Sequence, residues 1–171
     1  MKELILVRHA KSSWKDPGKD DFERRLSSRG RRAAKRIAEW LAEARVRPTL
    51  VLCSDAARTR ETLALIGEAM GAPEVVFEKD LYLAGKSKLL ARLRKLGDGI
   101  RCVMLIGHNP GLQELALALL PKGADLERDK IAAKFPTAAL VRLAFAGASW
   151  SKLGPAKTRL IAYVVPRELD D

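Results

Sequence analysis

The hydrophobic pattern alternates between short apolar runs and longer segments in which apolar residues recur at helical spacing. Residues 4–7 form the first run, which is unbroken, contains β-branched members and is typical of a core strand covered on both faces. Comparable runs occupy residues 50–53 and 102–106, and residues 74–77, which begin with a glutamate, read as a further strand. The pattern therefore predicts four strands in the first two thirds of the chain.

Between these runs, apolar residues recur three and four positions apart, with arginine and lysine between them. This spacing predicts a helix that begins after Ser27 or Ser28 and reaches Ala44, followed by helices over residues 56–70, 87–96 and 110–120. Strands that alternate with helices are typical of a parallel sheet with right-handed crossovers and helices on both faces.

The rhythm changes towards the end of the chain. Residues 138–146 and 160–165 read as two strands with no helix between them, which predicts a hairpin at one end of the sheet. The predicted fold is an α/β three-layer sandwich: a doubly wound, mostly parallel sheet flanked by helices, with a C-terminal antiparallel hairpin. A length of 171 residues suits one domain, so residues 1–171 are expected to form a single domain.

Composition narrows the class of protein. An apolar fraction of 47% with 31% charged residues is typical of a soluble globular protein. No apolar stretch approaches 18 residues, and the first residues lead straight into a strand, so a cytoplasmic protein without a membrane partner is expected. Cys53 and Cys102 each lie within an apolar run, which favours buried reduced thiols over a disulfide or a zinc site.

The chain is strongly basic, with 32 basic against 21 acidic residues and a net charge of +11. Such a charge attracts anions of any kind: nucleic acid, an acidic protein or a phosphorylated ligand. A nucleic-acid-binding domain is the distant alternative, because only nine aromatic residues occur and most sit in helices or apolar runs rather than among cations. No nucleic-acid partner is expected.

Four residues predict where the chemistry lies. The chain has two histidines, His9 and His108, and each follows a buried strand directly. Arg8 precedes His9, and Arg58 falls in the first turn of the helix after the second strand. Because the carboxyl ends of parallel strands meet at one edge of the sheet, two imidazoles and two guanidiniums are expected to converge there.

A phosphoryl group suits this combination of residues. Arginine offers a planar fork for phosphate oxygens, and fixed cations stabilise the charge on a phosphoryl group in transfer. A histidine can act as the nucleophile when one ring nitrogen is unprotonated and the other is held by a hydrogen bond. Metal-ligating residues at short spacing are lacking in the sequence, so a metal-free covalent route without any cofactor is expected.

Three motifs in order along the chain resemble those of the histidine phosphatase (phosphoglycerate mutase-like) superfamily. They are the Arg8-His9 motif within residues 6–14, the segment Ser54-x-x-x-Arg58-x-x-x-Thr62, and Gly107-His108-Asn109-Pro110-Gly111. Within the superfamily, the chain is most similar to the SixA-type phosphohistidine phosphatases. That similarity rests on the short length, residues 24–30, Asp80-Leu81-Tyr82 and Lys134-Phe135-Pro136-Thr137.

The resemblance implies a role for each residue. His9 would be the phosphorylated nucleophile, Arg8, Arg58 and His108 the phosphate pocket, and Arg24 an added substrate contact from the loop. The chain departs from the family pattern at three positions: Ala10 replaces the usual glycine, Arg25 a common proline, and Lys15 the asparagine of mutase relatives. Lys15 argues against mutase activity.

The proton donor is the least defined role. Glu78 and Asp80 follow the third strand, where mutase relatives place an acid, and Asp80 matches the SixA-type position better. An alkoxide leaving group needs that proton, whereas an imidazole leaving from phosphohistidine needs less help. A weak candidate acid therefore favours a phosphohistidine substrate.

The loop from Phe77 to Ser87 is too short for a helical lid, which predicts an open pocket. The function expected from the sequence is a phosphatase that removes phosphate from phosphohistidine on a partner protein and releases inorganic phosphate. The alternative is a phosphatase of small phosphomonoesters or diphosphates that uses the same pocket.

Overall fold

The computed structural model describes residues 1–169, and six strands in this part of the chain form one sheet. The strands are β1 (Lys2–Arg8), β2 (Leu50–Ser54), β3 (Glu74–Glu78), β4 (Cys102–Gly107), β5 (Leu140–Phe145) and β6 (Thr158–Val164). Their order across the sheet is β3-β2-β4-β1-β5-β6. β1 to β4 are mutually parallel, β5 runs antiparallel to β1, and β6 runs antiparallel to β5. The predicted fold class, including the terminal hairpin, is confirmed.

Helices cover both faces of this sheet. They are α1 (Ser28–Glu43), α2 (Ala57–Ile66), α3 (Lys86–Arg94), α4 (Gly111–Leu119) and α5 (Asp125–Ala133). The predicted second helix is divided, because α2 ends at Ile66 and a 3-10 turn, Gly67–Met70, continues it. The hydrophobic pattern does not predict α5, whose single buried residue, Ile131, gives no apolar periodicity.

The unbroken apolar runs are explained by the two faces of the sheet. Successive side chains of a strand point to opposite faces. Leu4 and Leu6 of β1 therefore pack with residues of α3, α4 and α5. Ile5 and Val7 pack with residues of α1 and α2 on the other face. Both sets must be apolar, and the result is the three-layer arrangement.

The strand register brings three strand ends to one edge of the sheet. Arg8 at the end of β1 pairs with Gly107 at the end of β4, and Cys53 of β2 pairs with Ile106 of β4. Whatever follows these three strands therefore emerges side by side. Both cysteines are free, although Cys102 is only partly buried. Within the described residues, no helix has the length and apolar character needed to span a membrane.

The start of α1 packs tightly against the segment that follows β1. Ser27 caps the helix by accepting a hydrogen bond from the Gly30 backbone N–H at 3.0 Å, and its own backbone N–H donates to the Lys11 carbonyl at 2.9 Å. A Cβ atom on Gly30 would lie 2.1 Å from that carbonyl oxygen. Only glycine allows this approach, which holds the loop leaving the sheet edge against α1.

Candidate functional site

The two histidines meet at the sheet edge, as the sequence predicts. The ring centroids of His9 and His108 lie 5.3 Å apart, and the two residues are 7% and 2% exposed. They open into a pocket of about 310 Å³. Its lining consists of Arg8, His9, Lys11, Ser12, Trp14, Arg24, Arg58, Leu83, His108, Asn109 and Thr137.

The backbone and ring of His9 are both held in place. Its backbone N–H donates to the Gly107 carbonyl at 3.1 Å, and its carbonyl accepts from the Ala138 N–H at 2.9 Å. Nδ1 of the ring lies 2.7 Å from the Ala10 carbonyl oxygen. Because a carbonyl can only accept, Nδ1 carries the proton, and Nε2 keeps its lone pair.

Thr62 connects this segment to α2. Its Oγ1 donates to the Arg58 carbonyl at 2.7 Å and accepts from the Ala10 backbone N–H at 3.0 Å. The third residue of the second arginine motif thus fixes the backbone next to His9. Since Arg58 lies on the same helix, the Thr62 hydroxyl connects the segment that carries the His9 imidazole to the helix that carries the Arg58 guanidinium.

Arg58 is held against His9 by Asp21. The guanidinium is 3% exposed; its Nε donates to His9 Nε2 at 3.4 Å, and its Nη2 donates to Asp21 Oδ2 at 2.9 Å. Nη1 donates to the Asp21 backbone carbonyl at 2.6 Å. The Tyr82 hydroxyl donates to the same Asp21 carboxylate. Asp21 therefore orients the guanidinium from two sides.

The sequence does not reveal Asp21 as a site residue. It lies in the 3-10 helix Asp21–Glu23, within a long polar loop. Residues 19–26 of this loop contain five other charged residues, so nothing in the sequence distinguishes Asp21 from them. Burial raises the pKa of its carboxyl, but hydrogen bonds from Tyr82 and Arg58 and the charges of Arg58 and Arg24 bring that pKa down to about 2. Asp21 is a carboxylate at neutral pH. The sequence feature that could have pointed to this loop is its length directly after β1, because long loops at strand ends tend to carry functional residues.

Ser54, the last residue of β2, supports the second histidine. Its Oγ lies 2.7 Å from Nε2 of His108, and the two share a hydrogen bond. Tyr82 packs edge-on against the other side of this imidazole, with ring centroids 5.3 Å apart. Nδ1 of His108 is buried and has no hydrogen-bond partner among the described residues. The sequence places Ser54 in a motif without revealing this contact.

Two further arginines complete the cationic wall. Arg24 donates from Nε to Asp21 Oδ1 at 3.0 Å, and its guanidinium stacks 3.4 Å over the Trp14 ring. Arg8 donates from Nη1 to the Phe135 carbonyl at 3.0 Å. Nη1 of Arg24 and Nε of Arg8 are buried nitrogens without a hydrogen-bond partner in residues 1–169. Both are donors that an anion in the pocket can satisfy.

Burial, reinforced by these cations, keeps both imidazoles neutral. Burial first, and then the charges of Arg58, Arg8 and Arg24, lower the pKa of His9 to about 4 despite its hydrogen bond to Ala10. Burial, with His9 and Arg58 next, lowers the pKa of His108 to about 3. At neutral pH the pocket thus joins fixed positive charges to a neutral imidazole with an available lone pair.

Known proteins share this fold and are similar to the chain in sequence. The family model for the histidine phosphatase superfamily (branch 1) matches residues 4–82. A crystal structure from Agrobacterium tumefaciens, assigned to the phosphohistidine phosphatase SixA, is 32% identical and covers 96% of this chain and 98% of its own, with a TM-score of 0.83. The chain belongs to the histidine phosphatase superfamily.

Two further proteins are similar to this histidine phosphatase in sequence. An uncharacterised protein of Mycobacterium tuberculosis is 35% identical over 163 residues, which is 94% of this chain and all of that protein. A metal-independent phosphoserine phosphatase of Arabidopsis thaliana is 35% identical over 81 residues, 46% of this chain and 34% of its own. The superfamily and its structural neighbours support phosphatase activity for this chain.

The structure does not bring the two predicted acids of this histidine phosphatase into the pocket. The Asp80 side chain is 90% exposed, and its carboxylate lies 3.9 Å from Lys88. Glu78 faces α3, where both its oxygens accept from Arg92 Nε, at 2.8 and 3.0 Å. The 3-10 helix Lys79–Leu81 turns Asp80 outwards, and Tyr82, which directly follows this helix, contacts His108 instead.

Proposed function

We propose that this protein is a metal-independent phosphohistidine phosphatase that works through a phosphorylated His9. The observation that carries the covalent route is the hydrogen bond between His9 Nδ1 and the Ala10 carbonyl, which leaves the Nε2 lone pair beside Arg58. With a pKa of about 4, His9 is already unprotonated at neutral pH and needs no separate base.

In the first step, His9 Nε2 attacks phosphorus and forms a P–N bond, while the P–N bond to the imidazole of the partner protein breaks. That imidazole leaves with the electron pair and takes up a proton from water. Arg8, Arg58 and His108 hold the phosphoryl oxygens as they move, and Arg24 adds a contact from the loop. The buried nitrogens of Arg8, Arg24 and His108 gain partners in this state.

In the second step, water attacks the phosphorus of phospho-His9. The new O–P bond forms as the P–N bond breaks, so His9 recovers its lone pair and inorganic phosphate leaves with both protons of the water, as dihydrogen phosphate. The same cations stabilise both transition states, because the charge on the phosphoryl oxygens is similar in each.

The placement of the carboxyl groups favours phosphohistidine over a phosphate ester. Asp21 has a pKa of about 2 and is bonded to Arg58, Glu78 is bonded to Arg92, and Asp80 faces solvent. An alkoxide needs a proton from an acid as it leaves, whereas an imidazole leaves readily with little help. The open rim, with Trp14 76% exposed, also gives a phosphorylated side chain of a protein access to His9.

Trapping of the intermediate tests this mechanism. The protein is mixed with a phosphohistidine peptide that carries labelled phosphate, quenched in alkali within milliseconds to seconds, and digested for mass spectrometry. Label is expected on His9 and is absent in His9→Ala. Turnover that persists in His9→Ala, or quenched samples without label under conditions of rapid turnover, would overturn the covalent route.

A second candidate function is hydrolysis of small phosphomonoesters, favoured by the similarity to the plant phosphoserine phosphatase. Comparison of kcat/KM separates the two. Phosphohistidine peptide is expected to exceed both phosphoserine and p-nitrophenyl phosphate by about a hundredfold, equivalent to about 2.7 kcal/mol in transition-state stabilisation. The reverse order of kcat/KM would support the phosphomonoester function.

A further inference from the structure

A second concave surface, which we call the basic groove, adjoins the catalytic pocket. It has a volume of about 590 Å³, larger than the pocket itself, and shares Lys11 and Thr137 with it. Its lining includes five cationic side chains: Lys11, Arg29, Arg36, Lys134 and Arg167. An extended ligand can therefore occupy the pocket and the basic groove at once.

The cations of the basic groove come from separate parts of the chain. Arg29 and Arg36 lie two turns apart on α1, Lys134 follows α5, and Arg167 belongs to the 3-10 helix Pro166–Leu169. Among the residues that the structure describes, no carboxylate lines the groove. The tertiary fold thus collects like charges that are far apart in sequence.

Two arginines close to the groove but outside it form ion pairs with a carboxylate, unlike Arg29 within it. Arg25 and Arg31 both pair with Glu61, at 3.3 and 2.8 Å. Within residues 1–169, the side chains of Arg29 and Lys134 form no ion pair. Clustered like charge costs stability through self-repulsion, and a concave wall focuses the resulting field on whatever enters. The basic groove is consequently a strong attractor for an anion beside the pocket.

We infer that the basic groove binds a second anionic group of the same substrate whose phosphoryl group reacts at His9. The inference rests on the proposed phosphatase function and adds a substrate class to it. The ligand chemistry is an oxyanion, held close to the reacting phosphoryl group. It is supplied by acidic side chains beside a phosphohistidine on a protein, or by a second phosphate on a small ester.

Equilibrium binding to matched ligands tests the inference. One pair consists of peptides with a non-hydrolysable phosphohistidine analogue, flanked by glutamates in one and by glutamines in the other. The second pair is a sugar bisphosphate and the corresponding monophosphate, measured in a His9→Ala background that prevents turnover. The test variant is Arg29→Gln/Lys134→Gln. The matched control is Arg32→Gln/Lys35→Gln, which removes the same two charges from exposed positions of α1 outside the groove.

The ligand with the second anion is expected to bind about fivefold more tightly than its partner, since exposed ion pairs contribute modestly and several act together here. This preference falls below about twofold in Arg29→Gln/Lys134→Gln and persists in Arg32→Gln/Lys35→Gln. In the unmodified protein it also weakens between about 0.05 M and about 0.5 M salt, as screening requires.

Preference within the peptide pair alone identifies a protein as the source of the anion, and preference within the sugar pair alone identifies a small ester. Equal affinities within both pairs would overturn the inference, as would an equal loss of preference in the control variant. Analogue peptides that bind with the expected preference, together with phosphohistidine peptides of the same sequence that the unmodified protein does not dephosphorylate, would instead refute the proposed function and leave the groove assignment standing.

Discussion

The Asp21 carboxylate holds the Arg58 guanidinium in the pocket beside His9, with Oδ2 at 2.9 Å from Nη2 and the Asp21 backbone carbonyl at 2.6 Å from Nη1. Arg58 in turn donates to the His9 nitrogen that we propose as the nucleophile. An acid 37 positions away from Arg58 in sequence thus sets their geometry.

Asp21→Asn is expected to lower kcat/KM for a phosphohistidine peptide. The substitution keeps the size of the side chain but removes its charge, and hydrogen bonds to charged groups are worth about 1.5–3 kcal/mol, equivalent to roughly tenfold to a hundredfold. Steady-state kinetics measure the effect. The control is Asp20→Asn, next in sequence, whose side chain makes no capping hydrogen bond. Equal activity of both variants would show that Asp21 has no positioning role.

Ser54→Ala is expected to release His108 and to reduce kcat/KM by about tenfold, because Nε2 of the buried imidazole loses its partner at a cost of about 1–3 kcal/mol. The pKa of His108, followed by NMR titration, should also change, which a purely structural defect elsewhere would not cause. Ser28→Ala, at the exposed start of α1, provides the comparison. An unchanged titration of His108 would contradict the contact.

Gly30→Ala is expected to destabilise the fold. The new Cβ would lie 2.1 Å from the Lys11 carbonyl oxygen, so α1 or the loop beside the site must move. The free energy of unfolding should fall by about 1–3 kcal/mol, the usual cost of overpacking. Gly18→Ala has nothing within 4 Å of its new Cβ and should change the value by less than about 0.5 kcal/mol. Urea denaturation measures both variants, and equal stabilities would refute the close approach.

Acid should destabilise the protein between about pH 6.5 and 4. In the unfolded chain the histidines have a pKa near 6.5, whereas burial and nearby arginines lower it to about 4 for His9 and about 3 for His108. In that window the unfolded state binds more protons, so the free energy of unfolding falls as pH decreases, by up to about 1.4 kcal/mol per pH unit for each group.

Urea unfolding at pH 7 and pH 4.5 measures this loss. The double variant His9→Ala/His108→Ala removes both titrating groups and should show a smaller decrease over the same interval. Asp21, whose pKa of about 2 in the folded protein lies below the unfolded value of about 3.9, loses its stabilisation mainly below about pH 4 and is present in both proteins, so it does not account for a difference between them. Equal decreases for the two proteins would show that the histidines are not buried in neutral form.

The sequence alone predicts the sheet and the residues that follow its strands. Leu4 to Val7 must be covered on both faces, and the alternation with amphipathic helices makes β1, β2 and β4 parallel. His9, Arg58 and His108 follow these strands closely, so their meeting at one edge depends on local patterns that the sequence displays. The resemblance to histidine phosphatases rests on the same short motifs.

Residues carried by loops could not be placed in this way. Asp80 sits at the expected distance after β3, yet the 3-10 helix Lys79–Leu81 exposes it to solvent and directs Tyr82 to His108. Asp21 is one acid among several in a polar loop, and its contacts to Arg58 and Tyr82 span 37 and 61 positions of sequence. Hydrophobic periodicity carries no information about such pairs.

The sequence by itself thus determined the α/β architecture and the histidines and arginines of the site. Both follow from the local order of hydrophobic residues, which shows which strands are buried and where each strand ends. Only the tertiary structure decided which nitrogen of His9 keeps its lone pair, which carboxylate orients Arg58, and that Arg29, Lys134 and Arg167 face one groove. Those relationships depend on how loops and helix faces from distant segments pack together, and no single stretch of the chain encodes them.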